Sequence, residues 1–211
     1  QNKTSENKLA YQKVSFYAGL ELYNEGNYSQ ASTLFEKSIA VQKDPVFNAR
    51  ASFWNAETEY MQEHYKNAIS NYNTFLGFAQ AAKTPEYLSV NYNLAYAYFK
   101  LKEYEQAGNY FEQQIANFKS DKVRLLDSYL RLGDCRFATS KYNAASDAYT
   151  KIVEMKGIDA DYAYFQKAIC YGFVSKNDQK IQDLNAFLQK YPKSDYRDDA
   201  MFELGNAYVA T

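Results

Sequence analysis

Apolar residues recur three and four apart along most of this chain. The stretches "NYNLAYAYFK" (Asn91–Lys100), "YLRLGDCRFA" (Tyr129–Ala138) and "YEQAGNYFEQQI" (Tyr104–Ile115) each show this spacing, which is the period of one buried helical face. Strand-like alternation of apolar and polar residues is absent, so the pattern predicts an all-α chain. Two helix starts are marked by a cap residue before a proline, Asp44-Pro45 and Thr84-Pro85. The closing stretch "YPKSDYRDDAMFELGNAYVAT" (Tyr191–Thr211) reads as a loop, a cap and one amphipathic helix. Its apolar face is expected to carry Met201, Leu204 and Tyr208, widened by Phe202, Ala207 and Val209.

The helical pattern repeats. Small residues stand at Gly19, Ala56, Ala95, Gly133, Ala168 and Gly205, in steps of 37, 39, 38, 35 and 37 residues. Twelve residues after the first four come Ala31, Ala68, Ala107 and Ala145, and four further on a ring: Phe35, Tyr72, Phe111 and Tyr149. Three residues before those alanines stand Tyr28, Tyr65, Tyr104 and Tyr142. A repeat of this length, with no strand signal, predicts a stack of antiparallel helix pairs. The small residues let the two backbones of a pair approach, and a larger side chain there would overpack the pair.

The motifs Leu94-Ala95-x-x-Tyr98, Leu132-Gly133, Leu204-Gly205-x-x-Tyr208, Ala31-x-x-x-Phe35 and Ala107-x-x-x-Phe111 resemble those of the tetratricopeptide repeat family. The resemblance covers about residues 12 to 211 and implies a right-handed α-α superhelix, a solenoid of antiparallel pairs forming a single array. The repeats fall near residues 12–48, 49–87, 88–125, 126–160 and 161–197, with a sixth first helix over 196–211. The segment before residue 12 extends the first helix backwards. The fifth unit departs from the pattern, with Lys180 in place of Ala and Asn177 in place of Tyr. The stem of Lys180 is expected along the surface with its charge in water. Phe187-Leu188 followed by Tyr191-Pro192 looks like a bacterial envelope subgroup of the family, which includes the Tol-Pal-associated periplasmic coordinator and the outer-membrane barrel-assembly lipoprotein. The implied location is periplasmic or outer-membrane-associated, with the cytoplasm as the alternative. Because arrays bury each unit against the next, the last helix is expected either to continue into further chain or to be covered by a second copy, a possible self-association.

Composition narrows the function more than it defines it. The net charge is −1 and the sequence pI about 6.0, without the basic excess of a phosphate-binding protein, so nucleic acid is not an expected partner. No apolar run reaches the length of a membrane span. The chain contains 22 Tyr and 14 Phe, rings that suit half-buried surfaces with a wet hydroxyl edge. Its one histidine, His64, falls in a turn with no evident nucleophile or orienting partner. Cys135 and Cys170 occupy equivalent positions in consecutive units. Packed helices lie roughly 8–10 Å apart, more than the approximately 7 Å a disulfide allows between Cα atoms, so both are expected as buried free thiols. Asp195, Asp198 and Asp199 suit the positive end of the last helix and are expected to cap it. No phosphate loop, metal motif or cofactor signature occurs, and neither an enzyme nor a cofactor is expected.

The resemblance also implies where a partner would bind, on the face lined by the first helix of each pair. In the first unit that face comprises Phe16, Tyr17 and Tyr23; in the second, Arg50, Phe53, Trp54, Glu57 and Tyr60. The third supplies Tyr92, Asn93, Tyr96 and Phe99, the fourth Asp127, Arg131, Asp134 and Phe137, and the fifth Tyr162, Phe165 and Gln166. The family's clamp for a terminal carboxylate is not matched, because Phe16 and Leu20 replace its paired polar residues; only Asn93 and Arg131 resemble it. An aromatic groove with a few charges implies a protein or peptide partner. The alternative is a glycan-binding module of an outer-membrane uptake system, using stacked tyrosines and Trp54.

Overall fold

The computed structural model describes residues 2–118 and 120–210, whose regular structure is α-helical apart from two short 3-10 turns. In chain order the helices are α1 (Asn2–Asn24), α2 (Tyr28–Val41), α3 (Pro45–Met61), α4 (Tyr65–Gly77), α5 (Val90–Lys100), α6 (Tyr104–Asn117), α7 (Lys122–Ala138), α8 (Tyr142–Glu154), α9 (Ala160–Phe173), α10 (Asn177–Lys190) and α11 (Arg197–Val209). They form two compact units, Gln1–Glu103 and Tyr104–Thr211. In the first, α1 packs on α2, α2 on α3, and α3 on α4, with α1 also touching α3. In the second, each of α6 to α10 packs on its successor, and α9 also touches α11.

The spacing within a pair follows from the small residues. A methyl group placed on Gly19 would stand 2.8 Å from the Phe35 ring, and one on Gly133 would stand 2.5 Å from the Tyr149 ring. The notch in the first helix is therefore filled by the ring of the second helix. Phe35 and Tyr149 are buried in consequence, Phe35 among Phe16, Ala31 and Ala51 and Tyr149 among Leu130, Ala145 and Ile152.

The turn that reverses the chain within a pair also repeats. Gly26, Glu63, Lys102, Ser140 and Ser175, each seven residues past the small residue, all have positive φ between 58° and 80°. The N–H of the next residue donates back across the turn: Asn27 to Leu22 O at 2.8 Å, His64 to Glu59 O at 2.9 Å and Lys141 to Arg136 O at 2.8 Å. This left-handed closure satisfies carbonyls at the helix end. A tyrosine then folds against the last turn of the first helix, in edge-on pairs Tyr23–Tyr28, Tyr60–Tyr65 and Phe137–Tyr142 with centroids 5.3–5.4 Å apart.

Four local expectations are corrected. Asp44 caps α3 through Val46 N–H at 2.9 Å, but Thr84-Pro85 does not begin α5. Pro85–Leu88 is a 3-10 turn, the Thr84 hydroxyl donates to Ala81 O, and α5 starts at Val90. Glu86 turns inward to Arg50 and Trp54, holding this segment against α3. Lys180 is buried instead of lying along the surface, and its Nζ is 2.6 Å from Glu203 Oε2 on α11. Its stem lies over Gly172, at the position where Tyr23, Tyr60 and Phe137 carry rings, so a large side chain and a small one have exchanged helices.

The acidic residues at the start of α11 do not cap it by side chain: Tyr196 is its N-cap, while Asp198 and Asp199 sit in the first turn, where the helix end favours negative charge. The buried face of α11 is also not the expected one. Ala200 and Ala207 are buried and Leu204 packs on the cluster around Phe187, whereas Met201, Phe202, Tyr208 and Val209 are exposed. The smaller residues face inward because they admit the closest approach to α9 and α10.

Gly133→Ala should lower the midpoint of urea unfolding, by overpacking worth about 1–3 kcal/mol. Gly205→Ala should not, because nothing lies within 4 Å of the added methyl, and helix propensity favours it by up to about 1 kcal/mol. Leu94 is fully buried, and in the same unfolding assay Leu94→Ala should cost about 2–5 kcal/mol.

Candidate functional site

Two of the small residues are followed by an acid, Ala56 by Glu57 and Gly133 by Asp134. In those pairs the ring of the second helix is Tyr; where Leu20 or Tyr96 follows the small residue, the ring is Phe. The structure supplies the reason. The Tyr149 hydroxyl donates to Asp134 Oδ1 at 2.9 Å, and the Tyr72 hydroxyl donates to Glu57 Oε1. A nearly buried phenol needs an acceptor, and the neighbouring carboxylate is placed to provide it. The next first helix adds a second donor to each acid: Asn93 Nδ2 reaches Glu57 Oε1, and the Tyr162 hydroxyl reaches Asp134 Oδ1 at 2.9 Å. Each acid thus joins three helices.

Around Asp134 the arrangement is closed by charge. Arg131 Nη1 lies 2.9 Å from Asp134 Oδ2, and Arg131 Nε lies 3.6 Å from Asp127. Around Glu57 it opens into a cavity of about 270 Å³. Glu57 and Tyr60 of α3, Tyr72 of α4, and Tyr92, Asn93 and Tyr96 of α5 line it. Tyr92 and Tyr96 meet edge to face at 4.9 Å. Burial, then its tyrosine neighbours and the charge of Glu57, push the Tyr60 hydroxyl up to about 12. Tyr72 is raised well above its usual range, by burial first and then by Glu57.

The expected partner-facing residues divide. Glu57, Tyr60, Tyr92, Asn93 and Tyr96 come together at this cavity. Phe16, Phe53 and Phe165 do not face a partner: they are 0%, 3% and 8% exposed and belong to the core, Phe53 lying edge-on to Tyr72 and Phe75. Apolar rings at the edge of a first helix complete the packing between neighbours before they can line a surface. Arg50 and Trp54 are committed elsewhere. Arg50 Nε is 2.8 Å from Glu86 Oε1, with its guanidinium 4.8 Å from the Phe16 ring, and the Trp54 indole donates to the same oxygen at 3.0 Å.

Tyr23 is spent on Tyr28 and Trp54, while Tyr17 is half exposed beside Phe16 and Phe47. Phe99 stands near Tyr96, its ring centroid 6.5 Å away. Asp127, Arg131, Asp134 and Tyr162 form the second acid cluster, and Phe137 packs on Tyr142 and Phe173. Gln166 is half-buried on α9. Sequence reasoning missed Tyr72 as a site residue, although its hydroxyl, set against Phe35 and Phe111, was the available signal.

His64 immediately precedes α4, with Nδ1 3.1 Å from Glu59 Oε2. Cys135 and Cys170 are buried free thiols, each pushed up to about 12 chiefly by burial. Among the described residues no cluster of metal-ligating side chains forms, and no helix is long and apolar enough to cross a membrane.

Tetratricopeptide repeat profiles match the chain over residues 18–82, 86–156 and 162–194. No curated protein matches it in sequence. Among solved structures, the MamA protein is similar, with 20% identity over 87% of this chain and 93% of its own and a TM-score of 0.69. A tetratricopeptide repeat protein from Parabacteroides merdae ATCC 43184 shows 16% identity over 95% and 77%, with a TM-score of 0.70. YrrB, described as a TPR protein with an unusual peptide-binding site, shows 15% identity over 85% and 86%, with a TM-score of 0.68. At these identities the likeness is one of fold.

The buried thiols and phenols make stability sensitive to alkali. In the folded chain Cys135 and Cys170 hold their protons to about 12 against an ordinary 9.0, and Tyr23 and Tyr60 to about 12 against 10.0. The unfolded chain loses these protons first, so the stabilisation is full below pH 9 and declines as pH rises from 9 towards 12. Urea midpoints measured across that range should fall, and Cys135→Ala/Cys170→Ala should flatten the portion that begins near pH 9.

Proposed function

Because the chain belongs to the tetratricopeptide repeat family, we propose that it is a non-catalytic scaffold that grips a peptide or protein segment against its first helices, at the wall formed by α3 and α5. The observation that carries this reading is the cavity itself. Four tyrosines stand around a carboxylate and an amide, a mixture of rigid apolar area and oriented polar groups of the kind that anchors a partner. Tyrosine adds contact area at little cost in conformational entropy, since only two torsions are frozen. The similarity in fold to YrrB supports the same class of ligand.

The setting in this reading is the bacterial cell envelope, periplasmic or outer-membrane-associated. Its support is the sequence resemblance around Phe187-Leu188 and Tyr191-Pro192. The glycan alternative loses its main platform, because the Trp54 indole is held by Glu86 and its ring is met edge-on by Tyr23 and Phe53.

Selection of a displayed random-peptide library on the immobilised chain tests the proposal. Enriched peptides should lose binding to Tyr92→Ala/Tyr96→Ala, while the melting temperature of that variant stays within a few degrees of the parent. Selected peptides that bind the variant undiminished would overturn this reading. A saturable response of Trp54 fluorescence to oligosaccharides, with no peptide enriched, would establish the glycan alternative instead.

A further inference from the structure

The stack of rings between α7, α8 and α9 is not repeated one pair further on. Tyr142, the first residue of α8, meets Phe137 of α7 edge-on at 5.4 Å and stacks on Phe173 of α9 at 4.4 Å, with the ring planes 11° apart. Phe137 and Phe173 also meet at 5.4 Å, so three rings from three helices fill the space beside the turn. These positions lie four and nine residues past Gly133 and five past Ala168. The same counts from Ala168 and Gly205 give Gly172, Asn177 and Ala210. All three line a cavity of about 380 Å³ between α9, α10 and the end of α11.

The lining selects a class of ligand. Ile169, Phe173 and the stem of Lys180 offer apolar contact, and the Asn177 and Asn206 side chains offer amides. Lys180 and Glu203 also line the space, already paired with each other at 2.6 Å. Because that pair is internally compensated, neither a cation nor an anion is favoured there. A neutral ring suits the apolar part, and a hydroxyl on its edge suits the polar part. Glu203 can accept from it while keeping Lys180, since a carboxylate has about four acceptor sites. Asp134 shows the same capacity, accepting from the Tyr149 and Tyr162 hydroxyls. An aliphatic group would fill the space and forgo that hydrogen bond.

We infer that the cavity between α9, α10 and α11 receives a tyrosine side chain of a polypeptide partner, its ring taking the place that Tyr142 holds one repeat earlier and its hydroxyl directed to Glu203. The source is a polypeptide because exposed apolar side chains continue outward from the opening. Phe173 is 57% exposed, and Phe202, one helical turn before Asn206, is 68% exposed. A chain carrying the tyrosine covers these rings as well, and a free phenol does not. This site belongs to the unit Tyr104–Thr211 and the wall at α3 and α5 to the unit Gln1–Glu103, so the inference goes beyond the scaffold reading and either can fail alone.

The test is a nuclear magnetic resonance titration of the chain with the blocked tripeptides Ala-Tyr-Ala, Ala-Phe-Ala and Ala-Leu-Ala and with p-cresol, read at the Asn206 side-chain amide. Ala-Tyr-Ala should give saturable shifts. Ala-Phe-Ala should bind about fivefold more weakly, the scale of one hydrogen bond, and Ala-Leu-Ala and p-cresol more weakly still. Asn177→Tyr restores the ring that Tyr28, Tyr65 and Tyr142 supply at the other turns. It should fill the cavity from within and weaken Ala-Tyr-Ala at least tenfold, with a melting temperature no lower than the parent's. Asn177→Ala leaves the space open and should keep most of the affinity.

No saturation by Ala-Tyr-Ala, equal binding of Ala-Leu-Ala, or undiminished binding to Asn177→Tyr would overturn the inference. Binding of p-cresol as tight as that of the tyrosine tripeptide would overturn the polypeptide source and leave a site for free phenols. Loss of the selected peptides in Tyr92→Ala/Tyr96→Ala bears on the scaffold reading alone, because that variant leaves the α9–α11 cavity intact.

Discussion

A ring seated in a notch sets the geometry of this chain. Where the first helix of a pair carries glycine, the ring from the second lies closer than any real side-chain atom would tolerate, with Phe35 over Gly19 and Tyr149 over Gly133. Because interiors are packed at close to crystal density, such a contact cannot be widened without opening a void or narrowed without a clash. The distance between the two helices follows from it, and so does the alignment of the tyrosine at the turn, which meets the first helix only when the pair is in register. The left-handed residue between them is tolerated at Glu63, Lys102, Ser140 and Ser175 because this packing over-determines it.

The fifth pair shows what happens when the pattern is broken but the constraint remains. Lysine at position 180 would overpack the helix interface if the usual ring stood opposite, yet that position is Gly172, and the stem occupies the vacated space. The ammonium then emerges beside Glu203 of α11, where it forms an ion pair of limited exposure. Burying a lysine is costly unless its charge is compensated. Here the compensation lies on the last helix, so an apparent defect of the repeat becomes the tether between α10 and α11.

The candidate site is built by a different substitution on the same frame. Placing an acid next to the small residue calls for a hydroxyl on the facing ring, and the pairs Glu57 with Tyr72 and Asp134 with Tyr149 satisfy each other. Arg131 pairs with Asp134 in one cluster, while the other borders a tyrosine-lined cavity. The proposed surface for partners thus lies where the repeat is locally perturbed, and the regular parts hold it rigid. Preorganised rings and fixed acceptors lose little entropy on binding, the condition under which a modest contact area can recognise a ligand.

The all-α class, the repeat length of about three dozen residues, the small-residue notches and the buried positions such as Leu94 could be read directly from the chain. They depend on spacing and side-chain size, which are local properties that recur in register. The alternation of Tyr and Phe at the seated ring was equally visible, though its meaning required knowing that the following acid lies within reach. Only the tertiary structure decided that Phe16, Phe53 and Phe165 are core, that Arg50 and Trp54 are occupied by Glu86, and that α11 buries its alanines instead of Met201 and Tyr208. Those outcomes depend on which neighbouring helix or inserted loop first claims a side chain, and that competition between distant segments leaves no trace in the periodicity of either one.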